Sequence, residues 1–155
     1  MSLNFSIMRI LVDADACPVC DIAISLAKEY NIEIILYYDD SHNTYKEGAK
    51  IVIVSQDRDA VDYKLINDLK ERDIVITQDY GVATMALSLN AIPINQNGMK
   101  YTNDNISYLL ELRSINAHNR RANKKTHLKG PRKRTKDDDK SFYNTLKGIL
   151  EDLND

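Results

Sequence analysis

Short runs of apolar, mostly β-branched residues alternate along this chain with segments whose apolar residues repeat at helical spacing. The apolar runs predict five strands, at residues 7–12, 32–38, 49–54, 73–77 and 91–94. Helical spacing predicts five helices, at residues 18–30, 60–69, 82–89, 103–115 and 142–153. Strands that alternate with helices in this way favour an α/β fold, with a mainly parallel sheet of about five strands between two helical layers.

Two prolines refine this prediction. Pro18 suits the first turn of a helix, where its missing N–H costs nothing. Pro93 lies in the fifth predicted strand and favours an edge position or a strand end, because proline cannot donate to a neighbouring strand.

The composition is that of an ordinary globular protein. The chain has 155 residues, 43% of them hydrophobic and 28% charged, which is enough to bury the core of one domain. No apolar run approaches the roughly 18–20 residues of a membrane helix, and no basic segment followed by a long apolar core opens the chain. We therefore expect a cytoplasmic protein with no membrane partner.

The net charge of −2 conceals a strong asymmetry along the chain. Residues 1–112 hold nine Lys/Arg and 17 Asp/Glu, whereas residues 113–155 hold twelve and six. The run from 113 to 136 carries ten basic residues and no acid. We predict an α/β domain at 8–115, a basic linker or arm at 116–136, and a C-terminal helix within 137–155 that docks on the same domain.

Acidic residues follow three of the predicted strands. Because parallel strands end at one edge of their sheet, these carboxylates should converge and repel one another. Mg²⁺ or Mn²⁺ would offset that repulsion and suits hard oxygen ligands. The candidate metal ligands are Asp13, Asp15, Asp59, Asp62 and Asp79.

A purely structural interpretation competes with the metal site. Aspartate is a favoured N-cap, and each of these residues lies near the start of a predicted helix. Asp57 looks most like a plain cap, whereas Asp13 ends an apolar strand before the cap position and Asp62 is too far into its helix to cap it. The set is therefore more informative than any single member.

The pair Cys17 and Cys20 forms a C-x-x-C motif at a strand-to-helix junction, where a helix N-terminus lowers thiol pKa values. This spacing permits a dithiol redox function. A structural zinc site would need two more ligands, and His42, His118 and His127 are not paired in sequence. There is no Walker loop, G-x-G-x-x-G motif or Ser/His/Asp order.

The basic segment is a candidate nucleic-acid interface. Its cations could neutralise phosphates and release counterions, although a solvated arm folding back on the acidic domain explains them equally well. No aromatic residues are interleaved for base stacking. The candidate contacts are Arg120, Arg121, Lys124, Lys125, Arg132, Lys133 and Arg134.

Four segments occur in a recognisable order, and a GP pair with an acid before Phe142 follows them. The segments are DADACPV at 13–19, DAVDYKLI at 59–66, DIVITQDYGVA at 73–83 and INQNGMKYTNDNI at 94–106. From residue 8 onward the chain resembles the YaiI/YqxD family of bacterial proteins. The resemblance implies a PIN-like fold, related to metal-dependent ribonuclease domains.

The resemblance also implies roles for individual residues. Asp13 and Asp79 match metal-binding acids of PIN nucleases, and Asp59 and Asp62 match paired acids on the intervening helix. Asp15 belongs to the N-terminal motif and Cys17 matches the family, whereas Cys20 does not. Asp138 matches a C-terminal acid in an ambiguous DDD register. The run at 132–134 is more basic than the usual pattern.

The candidate acidic residues and the family resemblance together support one main hypothesis. It is that the chain is a Mg²⁺- or Mn²⁺-dependent nuclease or phosphodiesterase acting on RNA. Asp13, Asp62 and Asp79 are its predicted catalytic residues, with Asp15 and Asp59 beside them. The alternatives are a non-catalytic nucleic-acid-binding module that uses the basic arm, and a C-x-x-C redox protein.

Overall fold

The computed structural model describes residues 8–41, 44–122 and 132–153. Within that part of the chain, five strands form one sheet: β1 (Arg9–Asp13), β2 (Glu33–Asp39), β3 (Lys50–Val54), β4 (Ile74–Ile76) and β5 (Ile92–Ile94). Five helices accompany them: α1 (Cys20–Glu29), α2 (Ala60–Asp68), α3 (Tyr80–Ser88), α4 (Asn103–Ala122) and α5 (Lys136–Leu153). Every strand pair is parallel, and the order is β3-β2-β1-β4-β5.

The strand order reverses direction beside β1, which lies at the centre of the sheet. Leu11 of β1 is aligned with Ile35 of β2 on one side and with Val75 of β4 on the other. Chain connections leave β1 toward β2 and return to β4, which opens a crevice at the carboxyl ends of β1 and β4. In doubly wound sheets this switch point is where ligands bind.

The two faces of the sheet bury separate cores. Ile10 and Leu36 point toward α1 and α5, where Phe142 is fully buried. Leu11 and Val75 point to the opposite face, which α2 and α3 cover. Each central strand is therefore apolar on both sides, and the predicted three-layer α/β/α architecture with a parallel sheet is confirmed.

The prolines lie close to their predicted places. Pro93 is in β5, an edge strand, where its carbonyl accepts a hydrogen bond from the Tyr101 N–H at 3.0 Å. Helix α1 begins at Cys20, two residues after Pro18 and not at it. A tight turn delays the helix, since Ala16 has a φ of 58° and the Cys17 N–H bonds to the Ala14 carbonyl.

Helix α4 is longer than the sequence pattern indicates. The apolar spacing ends at Ile115, but the helix continues to Ala122 and takes in the start of the predicted basic arm. Residues 116–122 contain no proline or glycine and include two alanines and two arginines, so nothing in them stops a helix. Among the helices described, none combines the length and the apolar character needed to cross a bilayer.

Helix α5 is anchored by both apolar and polar contacts. Phe142 and Leu146 are fully buried in the core that α5 shares with α1. Gly98 lies so close to α5 that a Cβ atom there would be 2.6 Å from the Ser141 carbonyl oxygen. In the segment that leads into the helix, Arg134 donates a hydrogen bond to Asn97 Oδ1 at 2.7 Å. The chain from 132 onward is thus tied to the turn after β5.

Candidate active site

Two strand ends are joined by the buried side chain of Thr77, which follows β4. The Thr77 hydroxyl donates to Asp13 Oδ2 at 3.2 Å and accepts from the Asp79 N–H at 3.0 Å. Tyr101 holds the other side of Thr77 by donating its hydroxyl to the Thr77 carbonyl at 3.1 Å. Asp13 and Asp79 are therefore placed on either side of the switch point by one hydroxyl group.

Asp79 also caps α3, as the structural interpretation of these acids predicts. Its Oδ1 accepts a hydrogen bond from the Val82 N–H at 3.0 Å. Gly81 leaves room for this carboxylate, because a Cβ atom at that position would be 3.0 Å from Asp79 Oδ1. Capping and metal binding are compatible, since a carboxylate has several acceptor positions and the cap uses one of its oxygens.

Asp62, in the first turn of α2, faces the same carboxylate. Partial burial is the main cause that raises the pKa of Asp62, to about 7, followed by the negative charges of Asp79, Asp13 and Asp59. A hydrogen bond between the side chains of Asp62 and Asp79 acts in the same direction. Helix α2 and the start of α3 thus bring two carboxyl groups to one cleft.

The pKa of Asp13 is raised as well. Burial raises the pKa of Asp13 to about 6, and the charges of Asp15 and Asp79 add to the effect, whereas the hydrogen bond from Thr77 opposes it. Carboxyl groups with raised pKa values in a crevice are typical of sites that hold a proton or a cation.

Asp15 and Asp59 lie at the margins of this group. Asp15 Oδ2 accepts the Asp39 N–H at 3.2 Å, which ties the loop after β1 to the end of β2. Asp59 occupies the N-cap position of α2 with a left-handed φ of 63°, makes no side-chain cap and is 3.9 Å from the Arg58 guanidinium. Asp57 is not the cap that its sequence position predicts; its carboxylate accepts from the Ser55 hydroxyl instead.

Two of the acids, Asp62 and Asp79, border two clefts that share α4 as a wall. The first, of about 580 Å³, lies between the start of α3 and α4, and Asp79, Arg113 and Arg120 line it. The second, of about 430 Å³, is lined by Asp62, Asp79 and Arg113, among others. Cations therefore stand across each cleft from the carboxylates.

Sequence reasoning missed several residues of these clefts. Arg113 begins the run without acids, and that run was the available signal, but the predicted nucleic-acid contacts come only from residues 120–134. Nothing in the sequence marks the others, because they reach the cleft through the packing of α4 on α3. They are Gln78, Tyr80 and Asn116.

The donor set suits a hard cation but is not a complete cage. Within residues 8–41, 44–122 and 132–153, no three His, Cys, Asp or Glu side chains are grouped as ready metal ligands. Magnesium often binds through one or two carboxylates, with waters and substrate phosphates completing its shell. The adjacent carboxyl groups of Asp62 and Asp79 fit that description.

A family model described as "Uncharacterized BCR, YaiI/YqxD family" matches residues 11–152. The chain belongs to the YaiI/YqxD family. Relatives named UPF0178 protein span nearly the same length. The one from Lachnoclostridium phytofermentans is 46% identical over 147 residues, covering 94% of this chain and 99% of its own. The one from Alkaliphilus oremlandii is 48% identical over 145 residues, covering 94% and 92%. No solved structure matches the chain significantly.

The C-terminal acid of this YaiI/YqxD chain, Asp138, is paired with Arg132. The guanidinium donates to both carboxylate oxygens, at 2.6 and 2.9 Å, and the Thr135 N–H donates to Oδ2 at 2.9 Å. The bonds to Arg132 are the main cause that holds the pKa of Asp138 well below its usual range. Asp138 therefore supports the start of α5.

The predicted nucleic-acid contacts of the YaiI/YqxD chain differ from one another in their exposure and in their ion-pair partners. Arg120 and Arg121 are exposed in the last turn of α4. Arg132 and Arg134 are engaged by Asp138 and Asp139 respectively. Lys133 is exposed, and Lys124 and Lys125, like His42 and His127, lie outside the described residues. Nucleic-acid binding by this set stays a prediction.

The two thiols of the C-x-x-C motif lie close together where the chain enters α1. Cys17 and Cys20 are both free, and Cys20 is buried. A hydrogen bond to Cys20 and burial raise the pKa of Cys17, whereas accepting that bond lowers the pKa of Cys20. A dithiol redox function stays a prediction.

Proposed function

We propose that this chain is a phosphodiesterase that depends on Mg²⁺ or Mn²⁺ and cleaves RNA at the switch point of the sheet. The observation that carries this proposal is that Asp62 and Asp79 line the same cleft, with the charge of Asp13 near enough to act on Asp62. RNA as the substrate rests on the family's resemblance to PIN-like ribonuclease domains.

The electrostatics of the site favour a bound cation. The pKa values of Asp13 and Asp62, about 6 and about 7, mean that burial and the neighbouring negative charges disfavour the ionised forms of both groups. A divalent cation bound between the carboxylates of Asp62 and Asp79 would offset that effect. We assign the metal to these two residues, with Asp13 as the third candidate and Asp15 and Asp59 at the margin.

The opposite wall of the site suits a phosphate backbone. Arg113 borders both clefts, and Arg120 lies two turns further along α4 in the larger one. A guanidinium binds phosphate oxygens through two parallel hydrogen bonds. Phosphates held by these arginines would lie next to Asp79, which also lines the larger cleft.

The residues then have distinct tasks. A metal bound at this rim would supply an activated water and neutralise charge on the phosphate. Thr77 orients the Asp13 carboxylate through its hydroxyl, and the α3 cap holds Asp79 in place. Arg113 and Arg120 bind the phosphate chain.

Calorimetric titration of the full chain with Mn²⁺ tests the metal site. We expect one binding event for the unaltered protein, and a loss of at least about tenfold in affinity for Asp62→Asn and for Asp79→Asn. Asp57→Asn is the matched control, since Asp57 lies in the loop that leads into α2 and its carboxylate accepts from the Ser55 hydroxyl. Absence of binding, or equal loss in the control, would contradict the proposal.

Cleavage is tested separately with a labelled single-stranded RNA in the presence of Mn²⁺. We expect cleavage that EDTA abolishes and that Asp79→Asn reduces by at least about a hundredfold. The folded state of the variant is checked by circular dichroism. If the variant cleaved RNA at the rate of the unaltered protein, the activity would not come from this site.

The arginine wall favours one alternative, a nucleic-acid-binding module without catalysis. Binding would then depend on Arg113 and Arg120 and fall steeply with salt concentration. Each arginine removed should lower the slope of log K against log salt by about 0.7–0.9. RNA affinity that survives Asp79→Asn, with no cleavage under any metal condition, would select this alternative.

A further inference from the structure

Helix α4 carries an apolar stripe next to the side that packs on α3, and one member of the stripe, Leu112, also lines the larger cleft. Its inner side, with Ile106 buried and Leu109 partly buried, packs on α3. Tyr108, Leu112 and Ile115 recur at spacings of four and three residues on the outer side, which is the repeat of a helix-pairing seam. Their side chains are 62%, 39% and 48% exposed, so the described part of the chain leaves this stripe largely uncovered.

The charges of α4 are divided between its two halves. Asp104 and Glu111 lie in the first half, whereas Arg121 lies in the second, in addition to Arg113 and Arg120 on the inner side. A second α4 packed in the antiparallel direction would set the acidic half of each helix beside the basic half of the other. The opposed helix dipoles add to this attraction.

We propose that α4 is a homodimer interface, in which two copies of this chain pair their outer stripes in antiparallel orientation about a twofold axis. The seam then places Leu112 of each copy against Ile115 of the other. It also places Tyr108 against Asn119, whose side-chain amide can hydrogen-bond the tyrosine hydroxyl. The same residues are used on both sides, as a twofold interface requires.

A flanking pair of side chains fits the antiparallel direction and not the parallel one. Glu111 and His118 lie on the same edge of the stripe. Glu111 is one position before Leu112, and His118 is three positions after Ile115. In an antiparallel pair of helices, this edge of one copy faces the same edge of the other copy. Glu111 of each copy therefore lies against His118 of the other, which gives two such contacts. A parallel pair would instead place Glu111 near Asn116.

The interface leaves the clefts open. Arg113 and Arg120 lie on the inner side of α4 with Leu109, and only Leu112 borders both the stripe and the larger cleft. The proposal is therefore independent of the proposed catalytic function, because a dimer can form whether or not the acidic site binds metal.

Sedimentation velocity of the full chain over a range of micromolar concentrations tests the proposal. We expect a species of twice the 17.7 kDa chain mass, and a monomer for the variant Tyr108→Lys with Ile115→Lys. Ile53→Lys is the control, since Ile53 is similarly exposed (46%) on the edge strand β3. Circular dichroism establishes that each variant is folded.

A charge exchange tests the orientation. Glu111→Lys should weaken the dimer by removing the carboxylate that faces His118, and adding His118→Glu to the same chain should restore it through a new ion pair. A monomer at every concentration overturns the proposal, as does a dimer that dissociates in Ile53→Lys but not in the α4 variant. Failure of the exchange to restore an otherwise confirmed α4 dimer overturns the antiparallel orientation.

Discussion

Thr77 donates its buried hydroxyl to Asp13 Oδ2 at a distance of 3.2 Å, across the point where the strand order of the sheet reverses. The same oxygen accepts the N–H of Asp79. One side chain therefore satisfies a backbone donor and orients a carboxylate, and the geometry of the candidate site depends on it.

Replacing Thr77 with valine should remove both hydrogen bonds while keeping the shape of the side chain. We expect the free energy of unfolding to fall by about 1–3 kcal/mol, because the Asp79 N–H loses its acceptor. The pKa of Asp13 should rise above about 6, since the bond from Thr77 lowers it. Urea denaturation and a carboxyl-carbon NMR titration measure the two effects.

Thr84→Val is the matched control for this substitution. The exposed Thr84 hydroxyl donates to the Tyr80 carbonyl within α3, where water can replace it. Its loss should affect stability much less than the loss of Thr77. Equal destabilisation by the two variants would show that Thr77 has no special role.

The stability of the protein without metal should fall as the pH rises from about 4 to about 7. The pKa values of Asp13 and Asp62 are about 6 and about 7 in the fold, above the 3.8 of a free carboxyl. In this range the folded state binds more protons than the unfolded state, so deprotonation favours unfolding. Thermal unfolding in EDTA at a series of pH values measures the trend.

Asp62→Asn should remove much of that pH dependence, and Asp57→Asn should leave it in place. Asp138 titrates separately, because its pKa in the fold is lowered. Its ionised carboxylate stabilises the fold at pH values above the usual titration range of an aspartate, and that stabilisation is lost only at more acidic pH. Stability that rises between about pH 4 and pH 7 in both variants and in the unaltered chain would contradict the assignment.

The ion pair at the opposite end of the sheet should be essential for stability. Asp73 is buried, accepts from Arg9 at 2.6 and 3.1 Å, and accepts the Lys70 N–H at 2.8 Å. Asp73→Asn leaves the Arg9 guanidinium without its counter-charge and should cost about 3 kcal/mol. The exposed pair of Lys46 with Asp21 is the control, and Asp21→Asn should have a far smaller effect in the same urea titration.

Two glycines offer a matched test of how α5 is held. Gly98 has a φ of +84° and no room for a Cβ atom beside Ser141, so Gly98→Ala should lose about 1–2 kcal/mol from backbone conformation alone. Gly148 lies within α5 with nothing within 4 Å of its missing Cβ, and Gly148→Ala should gain about 0.5–1 kcal/mol. Similar changes in both variants would contradict this account.

The parallel sheet was predictable because its strands are local features of the sequence. Runs such as residues 34–38 are apolar throughout, and only a strand covered on both faces needs that pattern. The convergence of Asp13 and Asp79 follows from the same logic, since strand ends of a parallel sheet lie at one edge.

The features that the sequence did not predict depend on tertiary contacts. Thr77 has no local pattern that marks it as the link between two acids. Helix α4 continues past its apolar spacing because residues 116–122 contain no helix breaker, and the position of Arg120 in the larger cleft depends on that extension. The ion pair of Arg132 with Asp138 at the start of α5 also has no local pattern that marks it.

The sheet can grow in only one direction. At one edge, Pro93 has no N–H to offer, and its carbonyl is already used by Tyr101. At the other edge, β3 is a run of four β-branched residues, 51–54, and no described strand lies beyond it. Strand addition between misfolded copies would therefore begin at β3. A lysine at Ile53 should act as a gatekeeper that slows aggregation on heating.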